Sequence, residues 1–437
     1  MKRNVIGIFG AIGYDDYGDD ALLLCNVEEL LKRNYNIVIF SYNVARTTNL
    51  LLSNGLLPSN ARSERIEIVM DLNGYIDRKK WVSYSNIILN LGVDAIKTAY
   101  YLYLHRKLSQ SMTDLHSVDS DLSDFVGNVS KCSLILNMGG GYMNLYHGAK
   151  IYSSIVALSI ANKMGKPVIA YGQTFGPLNK VQKHFVKKFI QKIHHISVRD
   201  IDRSKKRLIE LGVPEKHISE GPDDAIFLNR QILNYQNEDI LNQFEGKFIV
   251  ITNFGLFLKY SRMSIESIHS VFATFFDYLI EEKNAVILNI SMTSSGADVG
   301  QGLSIQEKMK NKKSLFHLPL YVGVKEIKAI IGKSDLVFSS RLHPIVFAIS
   351  EKKPYIGISS GGEYYDSKLM GISEIYGYDP SKHIINADNL SLDLLIQCFN
   401  KALDDEFTDK DGIYKLNKLK RKQDLDAIEQ IIERHKY

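Results

Sequence analysis

Cysteine, tryptophan and proline are scarce in this sequence, which has three cysteines, one tryptophan and nine prolines among 437 residues. Cys25, Cys132 and Cys398 lie far apart and include no Cys-x-x-Cys pair. This spacing argues against a disulfide framework and against a structural zinc site, and it is typical of proteins in a reducing compartment. We therefore predict no metal ion, and we predict no other cofactor.

A large excess of one charge is also lacking, because 54 basic residues against 49 acidic ones leave a net charge of +5. So small an excess does not favour nucleic acid as a partner, although it would not hinder anionic substrates or an anionic membrane surface. The basic run Lys415–Lys422 is better explained as the solvated face of a helix than as a nucleic-acid patch.

Long hydrophobic runs are missing as well. The most apolar stretch, Ile87–Leu104, contains Asp94 and Lys97, so we predict a core or interfacial helix there and no membrane span. The apolar run Asn4–Phe9 is too short for a signal peptide, which favours a first β-strand. These features predict a cytoplasmic protein, and they leave open peripheral contact with the cytoplasmic face of the membrane.

Apolar runs typical of buried strands alternate with helical segments along most of the chain. A strand over Asn4–Phe9, a helix over Ala21–Lys32 and a strand over Asn36–Tyr42 form a βαβ opening, which predicts a parallel sheet. A length of 437 residues favours two domains, and a polar linker between Leu228 and Gly246 separates two such series. We predict an α/β protein of two Rossmann-like domains facing a cleft, over residues 1–240 and 246–437. Residues 71–124 have no function that the sequence indicates.

One stretch of the second half, Ser339–Pro344, combines features of an anion-binding site. It follows the strand-like run Asp335–Phe338, and Pro344 suits the first position of a helix. Arg341 and His343 should then lie on the turn before the helix, where free N–H groups favour a phosphate or carboxylate. Arginine binds oxyanions in bidentate fashion, and histidine moves protons near neutral pH. The stretch predicts anion binding with proton transfer; the alternative is a buried arginine–carboxylate pair beside a packed histidine.

Candidate ligand positions also follow strands of the first half. The triple glycine Gly139–Gly141 comes after the apolar strand Cys132–Asn137 and indicates close approach of the backbone to a ligand or to a neighbouring segment. The short strand His195–Val198 places Arg199 at its carboxyl end. In open α/β sheets this edge is where ligands bind.

Several motifs, in the same order along the chain, resemble those of the polysaccharide pyruvyl transferase family. The resemblance extends from about residue 4 to about residue 375, and it depends on the ordered set because each motif alone is weak. The motifs are Gly18-Asp19-Asp20-Ala21, the strand Leu134–Asn137 with the triple glycine, Gly172–Pro177, Val198-Arg199-Asp200 with Ser204, Pro222–Ala225, and Arg341-Leu342-His343 with Asp366-Ser367-Lys368.

The resemblance implies an enzyme that moves the pyruvyl group of phosphoenolpyruvate onto a saccharide as a cyclic ketal, in bacterial surface-polysaccharide biosynthesis. The implied fold is similar to that of GT-B glycosyltransferases, with a C-terminal helix that crosses back to the first domain. The implied partners are phosphoenolpyruvate and a glycan or lipid-linked saccharide, with no cofactor. The N-terminal domain would be the acceptor side and the C-terminal domain the phosphoenolpyruvate side.

The resemblance also implies roles for particular residues. Arg341 and His343 would be catalytic, with His343 moving the proton. Arg199 and Lys368 would hold the anion from the two domains, unless Arg199 forms a local ion pair with the next residue. Asp19 would be the base that deprotonates the acceptor, unless it only caps the following helix. Further substrate contacts are implied for Gly139, Gly140, Gly141, Asn144, His147, Ser340 and Leu342.

Two departures from the family pattern bear on these roles. The loop Ser359–Tyr365 before Lys368 is longer than is usual in the family. After the triple glycine the family often has an acidic residue, whereas this chain has Asn144, Tyr146 and His147. Either His147 replaces the acidic residue as base, or it is a hydrogen-bonded structural histidine.

Two other functions fit the same features. One is a GT-B glycosyltransferase that uses a nucleotide sugar, which the glycine loops and the cleft would suit. The other is a catalytically silent relative that binds an anionic glycan. The presence of Arg199, Arg341 and His343 together favours an enzyme, and pyruvyl transfer is our prediction. The sequence does not indicate the acceptor sugar or the oligomeric state.

Overall fold

The computed structural model of the protein describes residues 3–77, 97–104, 120–148, 150–200, 203–319, 322–405 and 410–435. Contacts within the chain divide it into two compact units. Unit 1 comprises Met1–Tyr14, Leu22–Pro222 and Lys418–Tyr437, and unit 2 comprises Asp15–Ala21 and Asp223–Asn417. The described residues of each unit form a parallel β-sheet.

Unit 1 is built on an eight-stranded sheet. Its strands are β1 (Val5–Phe9), β2 (Asn36–Ser41), β3 (Ile66–Met70), β4 (Leu134–Asn137), β5 (Gly140–Met143), β6 (Val168–Phe175), β7 (His195–Val198) and β8 (Ile218–Glu220). The helices that begin along this part of the chain are α1 (Tyr17–Lys32), α2 (Val44–Ser53), α3 (Leu72–Asp77), α4 (Ser120–Lys131), α5 (Lys150–Lys163), α6 (Lys180–Ile190) and α7 (Arg203–Glu210).

The strands of unit 1 pair in the order β3-β2-β1-β4-β6-β7-β8, with β5 paired on β6. The direction in which strands are added reverses between β1 and β4, so the sheet has a topological switch point there. β6 is buried at all eight positions, which is the pattern of a parallel strand covered on both faces. Such strands read as continuous apolar runs, and this is why the sequence predicts them well.

Unit 2 contains a six-stranded parallel sheet. Its strands are β9 (Phe248–Asn253), β10 (Ala285–Asn289), β11 (Leu315–His317), β12 (Leu336–Ser339), β13 (Tyr355–Ser359) and β14 (Ile384–Asn386). Its helices are α8 (Tyr235–Asn242), α9 (Ile265–Lys283), α10 (Ala297–Gln306), α11 (Val324–Ile331), α12 (Leu342–Ser350), α13 (Glu363–Ile375), α14 (Pro380–His383) and α15 (Leu392–Asp404), and α16 (Lys410–Arg434) starts in this unit. The strand order β11-β10-β9-β12-β13-β14 is the Rossmann order, with its switch point between β9 and β12.

A cluster of phenylalanines fixes β12 against α9 in unit 2. The ring of Phe338 on β12 lies 5.1 to 5.5 Å from the rings of Phe272, Phe275 and Phe276 on α9. All four side chains are fully buried, and aromatic pairs at this separation add to the energy of burial. The strand that leads into the predicted anion-binding turn is therefore held firmly from one side.

The units differ from the predicted domains at their borders. The chain joins unit 2 at Asp223, whereas the sequence predicted a boundary between Leu228 and Gly246. Lys328, only 2% exposed, helps to hold this segment in unit 2, because its Nζ donates hydrogen bonds to the carbonyl oxygens of Ile226 at 3.1 Å and Leu228 at 2.6 Å. A buried ammonium bonded to backbone oxygens leaves no trace in local composition.

The predicted return of the C-terminal helix to the first domain is confirmed, because α16 begins in unit 2 and belongs to unit 1 from Lys418 onward. Within unit 1, Arg421 Nη2 donates to the carbonyl oxygen of Cys25 at 3.2 Å. Arg33 Nη1 donates to Asp426 Oδ1 at 2.7 Å. The first bond joins α16 to α1, and the second joins it to the residue that follows α1.

The apolar stretch Ile87–Leu104 is described only over residues 97–104, and the rest of the helix predicted there lies outside the described residues. Residues 97–104 are helical, with Tyr101 and Leu104 fully buried. Within the ranges that the structure describes, no helix is both long enough and apolar enough to cross a membrane.

Gly139 provides a test of how tightly unit 1 is packed. A Cβ atom at Gly139 would lie 2.9 Å from the carbonyl oxygen of Gly172 and 3.0 Å from that of Tyr171. We predict that Gly139→Ala lowers the free energy of unfolding by roughly 1–3 kcal/mol, because a paired strand cannot move aside cheaply. Urea unfolding measures the change.

Gly127 supplies the matched control, because it lies inside α4 and its Cβ atom would meet nothing within 4 Å. We predict that Gly127→Ala raises stability by about 0.5–1 kcal/mol, the usual gain inside a helix. Equal effects of the two substitutions would contradict the close approach at Gly139.

Candidate anion-binding site

The predicted turn between a strand and a helix is present in unit 2. β12 ends at Ser339 and α12 begins at Leu342, so Arg341 takes the N-cap position with φ −97° and ψ 152°. Ser339 Oγ accepts a hydrogen bond from the Arg341 N–H at 3.0 Å and donates one to the Arg341 carbonyl oxygen at 3.1 Å. Pro344 takes the third helical position instead of the predicted first, where its missing N–H still has no intrahelical acceptor to lose.

The turn lies at the switch point of its sheet, because β12 pairs with β9 and Ser339 is opposite Asn253. The Gly255 N–H donates to Ser340 Oγ at 2.9 Å. Ser340 and Leu342 are 2% and 3% exposed. These two residues, expected as substrate contacts, support the turn from within the protein.

Arg341 pairs with a buried carboxylate in the first turn of α10. Its Nη2 and Nε both donate to Asp298 Oδ1, at 2.7 and 3.1 Å. The Asp298 side chain is fully buried, whereas that of Arg341 is 20% exposed. This pair matches the alternative interpretation of the stretch in part, but the guanidinium keeps an exposed edge with further N–H donors.

The second oxygen of Asp298 is also engaged. Asp298 Oδ2 accepts from Asn253 Nδ2 at 3.1 Å and from the Met292 N–H at 2.8 Å. A buried carboxylate is tolerated only when it is paired and hydrogen-bonded. The end of β9 and the loop after β10 supply these two partners, so Asp298 fixes the position of Arg341 relative to both segments.

A second carboxylate, Asp16, faces the exposed edge of Arg341. Asp16 Oδ2 lies 3.5 Å from Arg341 Nη1, and the Asp16 side chain is 34% exposed. Asp16 Oδ1 accepts from the N–H groups of Gly18 at 2.8 Å and Asp19 at 3.4 Å. Asp16 therefore caps α1, which begins at Tyr17, one turn earlier than predicted.

The segment that carries Asp16 is bonded to the loop after β10. The Tyr17 N–H donates to the carbonyl oxygen of Met292 at 3.0 Å. The N–H and Oγ of Ser294 donate to Asp15 Oδ1 at 2.8 and 2.9 Å. These bonds explain why Asp15–Ala21 belongs to unit 2, although the sequence placed it, with Asp19, in the first domain.

Asp19 itself lies inside the first turn of α1. It was expected either as the acceptor-side base or as the cap of this helix. The cap is Asp16 instead, because the helix begins one turn before Ala21. A role of Asp19 as base stays a prediction.

Lys368 joins the same group of charges. It lies on α13 and not in a loop, with its Nζ 5.9 Å from the ring centroid of Tyr364. Burial raises the pKa of the Asp16 carboxyl, but the charges of Arg341, His343 and Lys368 outweigh it and hold the pKa below its usual value. Burial likewise lowers the pKa of Arg341, and the Asp298 and Asp16 carboxylates more than reverse this shift.

His343 is packed between a glycine and an aspartate. A Cβ atom at Gly18 would lie 1.7 Å from His343 Nδ1, so no other residue type fits there while the imidazole keeps its place. His343 Nε2 lies 3.8 Å from Oδ2 of Asp223, which is fully buried. Asp223 Oδ1 accepts from the Ala225 N–H at 2.9 Å. The first motif of the chain thus forms one wall of the histidine site.

These side chains can together bind an anion and move a proton. Arg341 and Lys368 supply positive charge, and the first turn of α12 adds N–H groups. His343 supplies an imidazole, which is a side chain able to accept and to donate a proton. The structure brings together three of the predicted site residues, Arg341, His343 and Lys368.

Arg199, the predicted anion contact of the first domain, belongs to unit 1 and is 2% exposed. It lies at the carboxyl end of β7, and its Nε donates to Thr174 Oγ1 at 3.0 Å. Burial raises the pKa of the neighbouring Asp200, whose Oδ1 accepts from the Ser204 N–H at 2.7 Å. Asp200 therefore accepts a hydrogen bond from the first turn of α7.

The remaining predicted contacts follow the triple glycine of unit 1. Gly139 packs on β6, while Gly140 and Gly141 begin β5. Asn144 is fully buried, and its side chain donates to the Gly141 carbonyl oxygen and accepts from the Tyr146 N–H at 2.7 Å. His147 lies exposed at the surface.

Three residues of the site escaped prediction: Asp16, Asp223 and Asp298. Asp16 and Asp223 stand inside or beside the quoted motifs, so the acidic run before Gly18 and the Pro-Asp element were available signals. Asp298 had none, because only the tertiary structure brings the start of α10 to Arg341. Among the described residues, no cluster of histidine, cysteine and carboxylate side chains could hold a metal ion.

A model of the polysaccharide pyruvyl transferase family matches residues 16–362 of the chain. The matched region includes Asp16, Arg199, Arg341 and His343, and it ends before Lys368. A comparison with characterised protein sequences gave no significant match.

Solved structures share the fold at low sequence identity. A glycosyltransferase from Rickettsia africae has a TM-score of 0.55 at 11% identity, covering 99% of this chain and 98% of its own. The UDP-GlcNAc 2-epimerase of Neisseria meningitidis bound to UDP-GlcNAc has a TM-score of 0.55 at 14% identity, covering 97% and 100%. The UDP-GlcNAc 2-epimerase of Methanocaldococcus jannaschii has a TM-score of 0.54 at 13% identity, covering 92% of this chain and 93% of its own. This likeness confirms the predicted GT-B-like fold of two Rossmann-like domains.

The Arg341–Asp298 pair predicts a strong energetic coupling. We expect Arg341→Met to lower the free energy of unfolding by roughly 3–5 kcal/mol, because Asp298 then stays buried without its cation. In the Asp298→Asn background the same substitution should cost about 1–3 kcal/mol less. Urea unfolding of the wild type, both single variants and the double variant measures the coupling.

An exposed pair of the same unit serves as the control for this cycle. Arg230 Nη1 lies 3.2 Å from Glu351 Oε2, and the Arg230 side chain is 60% exposed. Its coupling should stay below about 1 kcal/mol. A coupling for Arg341 and Asp298 no larger than this would contradict their role as the anchor of the turn.

Proposed function

The chain belongs to the polysaccharide pyruvyl transferase family, and we propose on that basis that it transfers the pyruvyl group of phosphoenolpyruvate to a saccharide as a cyclic ketal. The setting that we propose is the biosynthesis of bacterial surface polysaccharide, on the cytoplasmic side of the membrane. The saccharide is an acceptor with two hydroxyl groups close enough to share one carbon atom.

The group of cations in unit 2 is the observation that supports this reaction best. Phosphoenolpyruvate carries a phosphate and a carboxylate, and it therefore needs several cationic contacts. The charges of Arg341, His343 and Lys368 all lower the pKa of the Asp16 carboxyl, so the three cations lie near enough to act on one position. An anion bound beside Arg341 would accept charge-assisted hydrogen bonds from the exposed edge of its guanidinium.

The proposed reaction needs proton transfer but no net proton from solvent. The enol carbon C3 takes up a proton, which makes C2 electrophilic. One acceptor hydroxyl adds to C2, the bond from C2 to the phosphate oxygen breaks, and the second hydroxyl closes the ketal. Of the two hydroxyl protons, one balances the new methyl group and the other leaves on hydrogen phosphate. The enzyme therefore needs one group that gives a proton and one that takes it.

His343 is the group that we assign to protonation of C3. Its imidazole lies beside Arg341 at the start of α12 and is held by Gly18 on its Nδ1 side. Asp223, on the Nε2 side, positions the ring. We assign Arg341 and Lys368 to the anionic groups, and a role of Arg199 in binding an anion stays a prediction.

A nucleotide-sugar transferase is the competing function, because the solved structures that share the fold include a glycosyltransferase and epimerases of UDP-GlcNAc. Calorimetry with phosphoenolpyruvate and with UDP-GlcNAc separates the two. We expect binding of phosphoenolpyruvate that weakens in Arg341→Lys, which keeps the charge but loses the planar fork of donors. Binding of UDP-GlcNAc alone would favour sugar transfer instead.

We predict that the purified protein releases phosphate from phosphoenolpyruvate only when a saccharide acceptor is present. His343→Gln should lower kcat by about a hundredfold or more, because general acid catalysis contributes this much, and should change the KM for phosphoenolpyruvate little. Phosphate release and the methyl signal of the ketal in NMR spectra measure the reaction. The control is His184→Gln, at an exposed position of α6.

Gly18→Ala should reduce kcat although every charged side chain is retained. The added methyl group would occupy the place of the imidazole, so His343 must turn away from the substrate. Gly323→Ala is the control, because its Cβ atom would meet nothing within 4 Å. Full turnover by Gly18→Ala would show that the observed position of His343 is not the active one.

A further inference from the structure

A pocket of unit 1 lies at the switch point of its sheet, where open α/β sheets bind ligands. It is a cavity of about 40 Å³, with room for about three water-sized groups. Phe9, Phe40, Asp71 and Asn137, at or just beyond the carboxyl ends of β1 to β4, line it together with Lys150 at the start of α5. No residue of the pocket was predicted as a site residue.

The pocket combines aromatic surfaces with polar groups. Phe9 and Phe40 contact each other edge to face at 4.4 Å, and Tyr14 stacks on Tyr42 at 4.5 Å with an angle of 10°. Lys150 Nζ lies 3.5 Å from the centroid of the Tyr14 ring. Apolar walls with a few placed polar groups are typical of small-molecule sites.

Asn137 presents a donor to this pocket. The residue is 1% exposed, and its Oδ1 accepts from the Tyr142 hydroxyl at 3.0 Å. Its Nδ2 has no acceptor in the part of the chain that the structure describes. A buried donor without an acceptor costs about 1–3 kcal/mol, so such a group in a native protein points to a ligand or solvent oxygen.

Asp71 presents a carboxylate to the same pocket. It follows β3 directly and caps α3, with its Oδ1 accepting from the Gly74 N–H at 2.7 Å. Burial raises the pKa of Asp71 to about 7, although the Gly74 N–H and the Lys150 cation oppose the shift. Tertiary structure has therefore given this carboxyl group the titration range of a general base at neutral pH.

We propose that this pocket binds the hydroxyl-bearing edge of the acceptor saccharide, with Asn137 Nδ2 donating to a sugar oxygen and Asp71 taking the proton of the attacking hydroxyl. The proposal rests on the proposed function, because it concerns the acceptor of the same transfer. It assigns the base to Asp71 in place of Asp19 or His147.

The proton step balances with the transfer described above. The acceptor O–H bond breaks, its proton moves to an oxygen of Asp71, and the oxygen forms the new bond to C2 of the pyruvyl group. Asp71 gives the proton up again as hydrogen phosphate forms. No oxidant, reductant or further reactant is required.

Charged and titratable groups from several elements face Asp71 and set the pH dependence. They are Lys150 of α5, Asp77 of α3, and the tyrosines Tyr14, Tyr42 and Tyr101. Asp77 is itself paired with Lys97 at 2.5 Å. A base acts when it has lost its proton, so kcat/KM for the acceptor should fall as the pH drops below about 7. Lys150→Met should move this fall to higher pH, because the cation lowers the pKa of Asp71.

The test compares Asp71→Asn with Asp71→Ala, using methyl glycosides of glucose, galactose, mannose and N-acetylglucosamine as probes. Asparagine still caps a helix, so Asp71→Asn should keep its stability. Its kcat/KM for the glycoside should fall by about a hundredfold or more, and the decrease of kcat/KM at low pH should disappear. Its KM for phosphoenolpyruvate should not change. Asp379→Asn, at the cap of α14, is the control and should behave as the wild type.

Binding of the same glycosides, measured by saturation-transfer NMR without phosphoenolpyruvate, separates the two proposals. We expect Asn137→Asp, which keeps the oxygen that accepts from Tyr142 and removes the donor, to weaken binding at least tenfold. Ketal formation that survives in Asp71→Asn with an unchanged pH profile would make Asp71 a helix cap only and overturn this inference, while pyruvyl transfer would stand. Glycoside binding that depends on Asn137, without consumption of phosphoenolpyruvate, would support the pocket and overturn pyruvyl transfer. Failure of every glycoside to bind the wild type would overturn the pocket assignment.

Discussion

The buried pair of Arg341 and Asp298 is the constraint on which the anion site of unit 2 depends. A fully buried carboxylate needs all of its hydrogen bonds, and Asp298 obtains them from Arg341, Asn253 and Met292. Meeting this need aligns the ends of β9 and β12, and it turns one edge of the guanidinium toward Asp16. The pair thus supplies structure and orients a charge at the same time, so the interpretations of Arg341 as structural and as functional are compatible.

Both units place their candidate chemistry at the switch point of a Rossmann-like sheet, and both use a helix-capping aspartate there. Asp16 caps α1 and faces Arg341, while Asp71 caps α3 and lines the pocket. Capping holds one carboxylate oxygen in place and leaves the other to the site. The surroundings then decide the chemistry, because cations lower the pKa of Asp16 whereas burial raises that of Asp71.

The predicted elements were most accurate where the sequence pattern and the tertiary structure impose the same requirement. The buried strands β7 and β12 and the turn at Arg341 follow from apolar runs and from residues with strong local preferences. Element ends were less accurate, since α1 begins at Tyr17 and not at Ala21. The cap that decides this, Asp16, is one of several acidic residues in its loop, and local sequence does not distinguish among them.

The sequence alone determined the two parallel-sheet domains and the motif that contains Arg341 and His343, because periodicity and ordered motifs are local properties of a chain. The return of the C-terminal helix was implied by the resemblance to the family. Only the tertiary structure decided which carboxylates lie beside Arg341 and His343. It also placed Asp15–Ala21 in unit 2. It also revealed Asn137 as a donor without an acceptor among the described residues, and Asp71 as a carboxyl group with a raised pKa. Desolvation and hydrogen-bond satisfaction depend on atoms that are distant in sequence, and no local pattern records them.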